Sequence, residues 1–184
     1  MKTGRRIIVL LCSALLLAFV VPFSNLAFAE EVPELNWADF MTEETEAQGS
    51  FQEIEIPNLP SIKLWIPTEM ASVDTSFMDG PFKPAALFGT ADQSKSVILF
   101  VSEVSSLDEY SVLMEKEGGG SNFRNIIING VNCISYDVEK DNILSLIYPV
   151  SDHTVLSVNC MPLNADENWE AARNLILASI QPGE

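Results

Sequence analysis

Residues 97–101, Val-Ile-Leu-Phe-Val, constrain the fold most, because this short run is apolar without alternation. Successive side chains of a strand point to opposite faces, so a strand of this kind must be covered on both sides. Most of residues 143–148 has the same character. The turn chemistry nevertheless favours hairpins, which make antiparallel pairs. The pattern therefore predicts an α+β fold, a mostly antiparallel sheet of about six to seven strands with helices packed on both faces.

The remaining strands are predicted from alternation and from turn residues. Pro57 and Pro60 separate the first two strands, and Asn129-Gly130 tolerates the two positive φ angles of a type I′ hairpin turn. That turn places Cys133 opposite Ile126. The predicted strands cover residues 51–56, 62–66, 85–90, 97–103, 123–128, 131–138, 143–148 and 154–160.

Two helices are predicted from their capping residues. Ser106 with Glu109 forms a capping box, in which the Ser hydroxyl accepts the amide of the third residue after it. The helix that begins there ends before a Gly-Gly-Gly run. Asn164 with Glu167 predicts the start of a last helix, which runs to Ile180 and has an apolar stripe on one side.

The N-terminus has the pattern of an export signal. Lys2, Arg5 and Arg6 precede an apolar run over residues 7–21, and an Ala-Phe-Ala motif ends at Ala29. An uncleaved anchor is the alternative, but a membrane span requires about 20 apolar residues and this run is shorter. We therefore expect cleavage after Ala29 and an exported protein, either secreted, periplasmic or associated with the cell envelope.

The predicted organisation has three parts. Residues 1–29 are a signal peptide, residues 30–49 an acidic amphipathic segment, and residues 50–184 a single α+β domain. The 155 residues after the predicted signal are enough for a single domain that folds without a metal or a disulfide. No cofactor is expected, because no cofactor-binding motif occurs.

The charge narrows the class of partner. The chain has 26 acidic and 10 basic residues, a formal charge of -16, and three of the basic residues lie in the predicted signal. Without the signal the charge becomes -19. That field repels phosphate, so no nucleic acid is expected as a partner, and anionic lipid is disfavoured. We expect another exported or envelope protein instead, with no transmembrane helix left after cleavage.

The acidic segment contains the candidate interaction surface. Trp37, Phe40 and Met41 recur at helical spacing, which predicts one amphipathic helix over residues 33–48. This stripe either docks on the core of the domain or is presented to a partner by a mobile arm. Docking is favoured, because an exposed patch of this kind promotes aggregation.

Weak cation candidates occur in the turn after residue 136. Asp137, Glu139 and Asp141 alternate as in the start of a calcium loop. A complete loop would have Gly at its sixth position and Glu at its twelfth, where this chain has Asn142 and Tyr148. A polar hairpin turn is the favoured interpretation.

Reactive side chains are few after the predicted signal. His153 is the single histidine and lies in a predicted turn, without a nucleophile motif around it. Cys133 and Cys160 lie in strands with one strand between them, a separation of about 9.6 Å that exceeds the reach of a disulfide. Buried free thiols are therefore favoured, although export makes a disulfide plausible.

The order of elements resembles a known family. Paired strands with a Leu-Trp-Ile-Pro step at residues 64–67 precede a hairpin and a capped helix. An Asn-Gly meander and a closing helix ending in Ser179-Ile180 follow. This order is similar to the PsbP-like fold, named for an extrinsic protein of photosystem II, and to small exported bacterial proteins that share it. The resemblance implies a binding or accessory role, without catalytic residues to transfer.

Three functional hypotheses follow. The first is an exported non-enzymatic binding or accessory protein, because no catalytic constellation is found. The second is a carrier of a small ligand or cation in a cleft between sheet and helix. The third and weakest is a hydrolase that depends on His153. The aromatic residues considered for the cleft are Trp65, Tyr136, Tyr148 and Trp169.

Overall fold

The computed structural model describes residues 32–76, 78, 84–164 and 166–183. The predicted signal peptide and its cleavage site after Ala29 lie outside these residues. Among the helices that are described, none is both long and apolar enough to cross a membrane.

The described residues form eleven strands, numbered here in chain order. The strands are β1 Glu34–Leu35, β2 Gly49–Ile54, β3 Ile62–Pro67, β4 Met70–Ser72, β5 Ala86–Thr90, β6 Ser96–Glu103, β7 Ser121–Ile128, β8 Val131–Val138, β9 Ile143–Ser151, β10 Thr154–Met161 and β11 Gln181–Pro182. The helices are α1 Trp37–Phe40, α2 Glu43–Ala47, α3 Leu107–Lys116 and α4 Glu167–Ala178, and a 3₁₀ turn covers Glu139–Asp141.

The α+β class is confirmed, but the predicted sheet is wrong in its composition. The main sheet has eight strands in the order β1-β7-β8-β9-β10-β6-β5-β4, and β1 runs parallel to β7. β2 and β3 do not join it but form a smaller sheet with β11. The strands that were missed, β1, β4 and β11, contain only two or three residues and are too short to show alternation.

The central hairpin has the predicted geometry. Asn129 and Gly130 have φ angles of 47° and 79°, as a type I′ turn requires. Cys133 lies opposite Ile126, in the predicted register. Local turn chemistry is therefore sufficient to set the pairing of β7 with β8.

The two long helices begin at side-chain caps, one of which was predicted wrongly. Ser106 Oγ accepts the amide of Glu109 at 3.1 Å, as the capping box predicts. The cap of α4 is Asp166, whose Oδ1 accepts the amide of Trp169 at 2.8 Å, and not Asn164. The backbone N–H of Asn164 instead donates to Asn142, which holds the chain in a loop before the helix begins.

The single helix predicted over residues 33–48 is also wrong. Its first residues form β1, and the remainder forms two short helices separated at Met41, which is extended with ψ 113°. Tertiary bonds compete with helix formation here, because Asn129 Oδ1 accepts the amide of Trp37 at 2.8 Å. Asn129 Nδ2 also donates to the carbonyls of Ala178 and Ile180.

The main sheet has two differently covered faces. On one, which we call the closed face, side chains such as Leu99, Leu156 and Trp169 form a core with α4 and the smaller sheet. On the other, which we call the open face, a second cluster around Tyr136 and Ile147 packs against α3. Helices therefore lie on both sides, although only the closed face is densely covered by the part of the chain described.

Candidate functional site

The main cavity of functional interest lies between α3 and the open face. α3 contacts the sheet through Leu107, Tyr110 and Met114, yet none of its residues is buried. A helix that touches the sheet along one stripe only leaves space beside that stripe. The result is a cleft of about 590 Å³, which also reaches Phe100 of β6 and Tyr136 of β8.

The side chains of β10 provide the polar floor of the cleft. Ser157 Oγ lies 3.1 Å from the hydroxyl of Tyr110, which links α3 to the strand. Asn159 accepts a hydrogen bond from Ser145 at 2.6 Å and donates one to the carbonyl of Ile98 at 3.3 Å. These bonds hold the polar groups in place within a largely apolar wall.

Tyr136 is the most deeply placed aromatic residue of the cleft. Its ring stacks on Phe123 at 4.9 Å with an interplanar angle of 11°. Gly120 makes this arrangement possible, because a Cβ there would lie 2.8 Å from Phe123 and 2.9 Å from Tyr136. Burial raises the pKa of Tyr136 above its ordinary value, so the phenol is neutral at neutral pH.

Two carboxylates lie at the cleft. Glu103 stands at the end of β6 and Glu109 in the first turn of α3, and both are exposed. No Lys, Arg or His is present among the described residues that line the cleft. Its electrostatic character is therefore negative.

The predicted interaction surface is divided by the structure. Trp37 docks on the domain, with its ring centroid 5.5 Å from that of Phe51 and 6.0 Å from that of Trp65. Phe40 is half-buried, whereas Met41 is 41% exposed. Trp37 therefore packs on the domain and is not presented by a mobile arm. Phe51, which the sequence did not single out, is 39% exposed beside it.

The three weak cation candidates lie in different environments. Asp137 is buried at the β8 end, where Arg124 Nη2 at 2.5 Å and Asn122 Nδ2 at 3.0 Å donate to its carboxylate. Glu139 and Asp141 are exposed on the 3₁₀ turn. Within the described residues, no group of three or more His, Cys, Asp or Glu side chains is arranged to hold a metal ion.

The histidine and the thiols lie apart from one another. His153 is exposed in the turn between β9 and β10, where its carbonyl accepts the amide of Val104. Cys133 and Cys160 are free and buried on the closed face. Burial raises the pKa of each thiol to about 12, so neither is a thiolate nucleophile at neutral pH.

Of the aromatic residues considered for a cleft, the structure places only Tyr136 in this one. Trp65, Tyr148 and Trp169 belong to the closed-face core. A usable signal did exist in β10, where Ser157 and Asn159 interrupt an apolar strand at alternate positions. Alternation places both on one face, but sequence alone does not show that this face is left partly open.

The fold and cleft define an α+β protein with a large mixed sheet, a smaller sheet and one loosely covered face. No protein-family model and no curated protein matches the chain. The solution structure of cyanobacterial PsbP (CyanoP) from Synechocystis sp. PCC 6803 is similar to it with a TM-score of 0.49 and 11% identity. The match covers 73% of this chain and 93% of that one. That protein bears the name of the family that the order of elements resembles, but a similarity at this level carries no argument about fold or function.

Proposed function

We propose that this chain is an exported, non-enzymatic binding protein whose ligand site is the cleft between α3 and the open face. The observation that carries the proposal is the cleft itself. Its volume of about 590 Å³ lies in the range of small-molecule sites. Its wall is aromatic and aliphatic with a few positioned polar groups, which is the usual composition of such sites.

The side chains of the cleft support binding rather than catalysis. Ser157 is the most buried serine of the cleft lining, and its hydroxyl is bonded to Tyr110 and not to a base. Activation of a serine requires a base within hydrogen-bond distance. Ser157 has the Tyr110 hydroxyl as its partner within that distance, and Glu103 and Glu109 are both exposed.

An accessory role with a protein partner is the second candidate. The supporting observation is the pair of exposed apolar side chains beside the docked Trp37, namely Met41 and Phe51. Another exported or envelope protein is the expected partner. Affinity capture with the chain that begins at Glu30 tests this role, with Met41→Ser and Phe51→Ser as variants of exposed positions. Loss of a stoichiometric partner from these variants would assign the contact to this surface.

The cleft is tested by a thermal-shift screen of small aromatic compounds on the chain that begins at Glu30. Ser102→Phe places a ring in the cleft from β6, and Ser50→Phe places the same ring on the exposed surface of the smaller sheet. A ligand at a hundred times its Kd stabilises by about 2.7 kcal/mol. We expect hits that Ser102→Phe abolishes and Ser50→Phe retains. A screen without hits, or hits that survive Ser102→Phe, would remove the proposal.

A further inference from the structure

The charges of the cleft are of one sign. Glu103 and Glu109 are the carboxylates that line it, at the end of β6 and in the first turn of α3. No cationic side chain is found in the described part of its lining. The chain without its predicted signal has a charge of -19, so the surrounding field has the same sign. An anionic ligand would be repelled from this site, whereas a cation would be attracted.

The polar oxygens of the floor are also compatible with a cationic ligand. Asn159 Nδ2 already donates to the carbonyl of Ile98, and the hydroxyl of Ser145 already donates to Asn159 Oδ1. Ser157 and Tyr110 share one hydrogen bond between two hydroxyls. Each oxygen keeps lone pairs, although one N–H of Asn159 and one hydroxyl hydrogen of the Ser157–Tyr110 pair are also left over. The oxygens of the polar floor therefore present partial negative charge to an incoming cation, whether or not that cation carries an N–H group.

The aromatic residues are suited to the same class of ligand. Phe100, Tyr110 and Tyr136 contribute rings to the lining of one cleft. The faces of aromatic rings attract ammonium groups, and the attraction increases where water is excluded. Tyr136 is 3% exposed and stacks on Phe123, so it supports the wall from behind. Phe100 and Tyr110 are partly exposed and are the rings that a ligand can contact.

From the charge, the acceptors and the aromatic lining together, we propose that the cleft selects an organic cation, an amine or quaternary ammonium compound with an apolar body. The inference rests on the proposed function, because it concerns the ligand of the same cleft. Glu109 and Glu103 attract the ammonium group from the rim, and the aromatic and aliphatic side chains accommodate the rest of the ligand. The ligand binds reversibly and is not altered.

Calorimetric titration with three probes of one shape tests the charge preference. Benzyltrimethylammonium is the cation, neopentylbenzene its uncharged carbon isostere, and phenylmethanesulfonate an anion of similar form. The protein is the chain that begins at Glu30. We expect the cation to bind roughly tenfold more tightly than the neutral isostere, and the anion not to bind. Binding of the cation should weaken as salt is added, because the carboxylates are exposed.

Glu109→Gln is the informative variant, because Gln also serves in a capping box and α3 keeps its start. This substitution should weaken binding of the cation roughly threefold to tenfold and leave the affinity for the neutral isostere unchanged. Glu115→Gln is the matched control, because it makes the same charge change on α3 outside the cleft lining. It should change neither the affinity for the cation nor that for the neutral isostere. An equal loss with both variants would show that only the net charge of the chain matters, which would overturn a site-specific role of Glu109.

The outcomes separate the two proposals. Equal affinity for the cation and its neutral isostere, abolished by Ser102→Phe, would overturn the cation preference and leave the cleft as the site. Tighter binding of the anion than of the cation would overturn the cation preference more directly. If none of the three probes binds, the cation inference is overturned as well, and the compound screen with Ser102→Phe decides the proposed function independently.

Discussion

The two faces of the main sheet differ in how completely they are covered. On the closed face, Leu99, Leu156 and Trp169 have no exposed surface, because α4 and the smaller sheet pack against it. On the open face, α3 has no buried residue, and its Val112 and Leu113 are 43% and 41% exposed. Dense packing excludes water and stabilises the fold. Incomplete packing leaves the volume in which a ligand can be bound.

The same strands serve both purposes. In β10, Leu156 and Val158 point to the closed face, whereas Ser157 and Asn159 lie at the cleft. A strand can separate the two roles because its side chains alternate between faces. Substitutions one residue apart therefore affect stability or binding, and the comparison can be tested residue by residue.

The largest expected effect is on thiol reactivity. Cys133 and Cys160 lie on the closed face, so we expect a thiol reagent to modify them only after unfolding. The rate of modification in buffer should therefore be roughly a thousandfold or more below the rate in urea. Mild alkali should not change this, because burial raises both pKa values to about 12. A Ser102→Cys variant, with its thiol at the cleft, should react at once. Rapid modification of Cys133 or Cys160 in the native chain would contradict the assignment.

Leucine truncation on each side measures the difference in packing. Leu156→Ala should lower the free energy of unfolding by about 3 kcal/mol or more, because a cavity is left in the core. Leu113→Ala, on α3 where the cleft is open to solvent, should change it by less than about 0.5 kcal/mol. Urea denaturation of both variants provides the measurement. Similar losses would show that α3 is packed as tightly as the closed face.

Asn129 is expected to connect the N-terminal segment to this core. Asn129→Gly keeps the positive φ but removes the bonds to Trp37, Ala178 and Ile180, so we expect a loss of about 2 kcal/mol. The segment before Gly49 should also become more susceptible to limited proteolysis. Asn58→Gly, at another Asn with positive φ, is the matched control. Equal effects of the two substitutions would assign the loss to backbone entropy.

Removal of a helix cap should have the smallest effect on the free energy of unfolding. Ser106→Ala and Asp166→Ala should each cost about 1 kcal/mol, since each removes the acceptor of one first-turn amide. Hydrogen exchange distinguishes them, because we expect α3 to open locally and α4 to open only with the whole domain. Ser106→Ala should therefore accelerate exchange mainly in α3. Equal exchange rates for α3 and α4 in the unmodified chain would contradict the comparison.

Local signals were sufficient for much of this fold. The Asn129-Gly130 turn and the Ser106 cap were predicted correctly because each depends on neighbouring residues alone. The prediction failed where distant contacts decide. The helix predicted over residues 33–48 was replaced by β1, α1 and α2, because β7 and Asn129 offered the backbone of this segment other partners. Asp166 replaced Asn164 as a cap for a similar reason, since Asn142 engages the chain there.

The site was less predictable than the fold. Alternation in β10 places Ser157 and Asn159 on one face, and the sequence also determined the acidic charge around them. Only the tertiary structure decided that α3 lies over that face without filling it, and that Tyr136 joins the cleft while Trp65, Tyr148 and Trp169 join the core. The physical reason is that alternation gives the face of a side chain, whereas its burial depends on which distant element packs against that face.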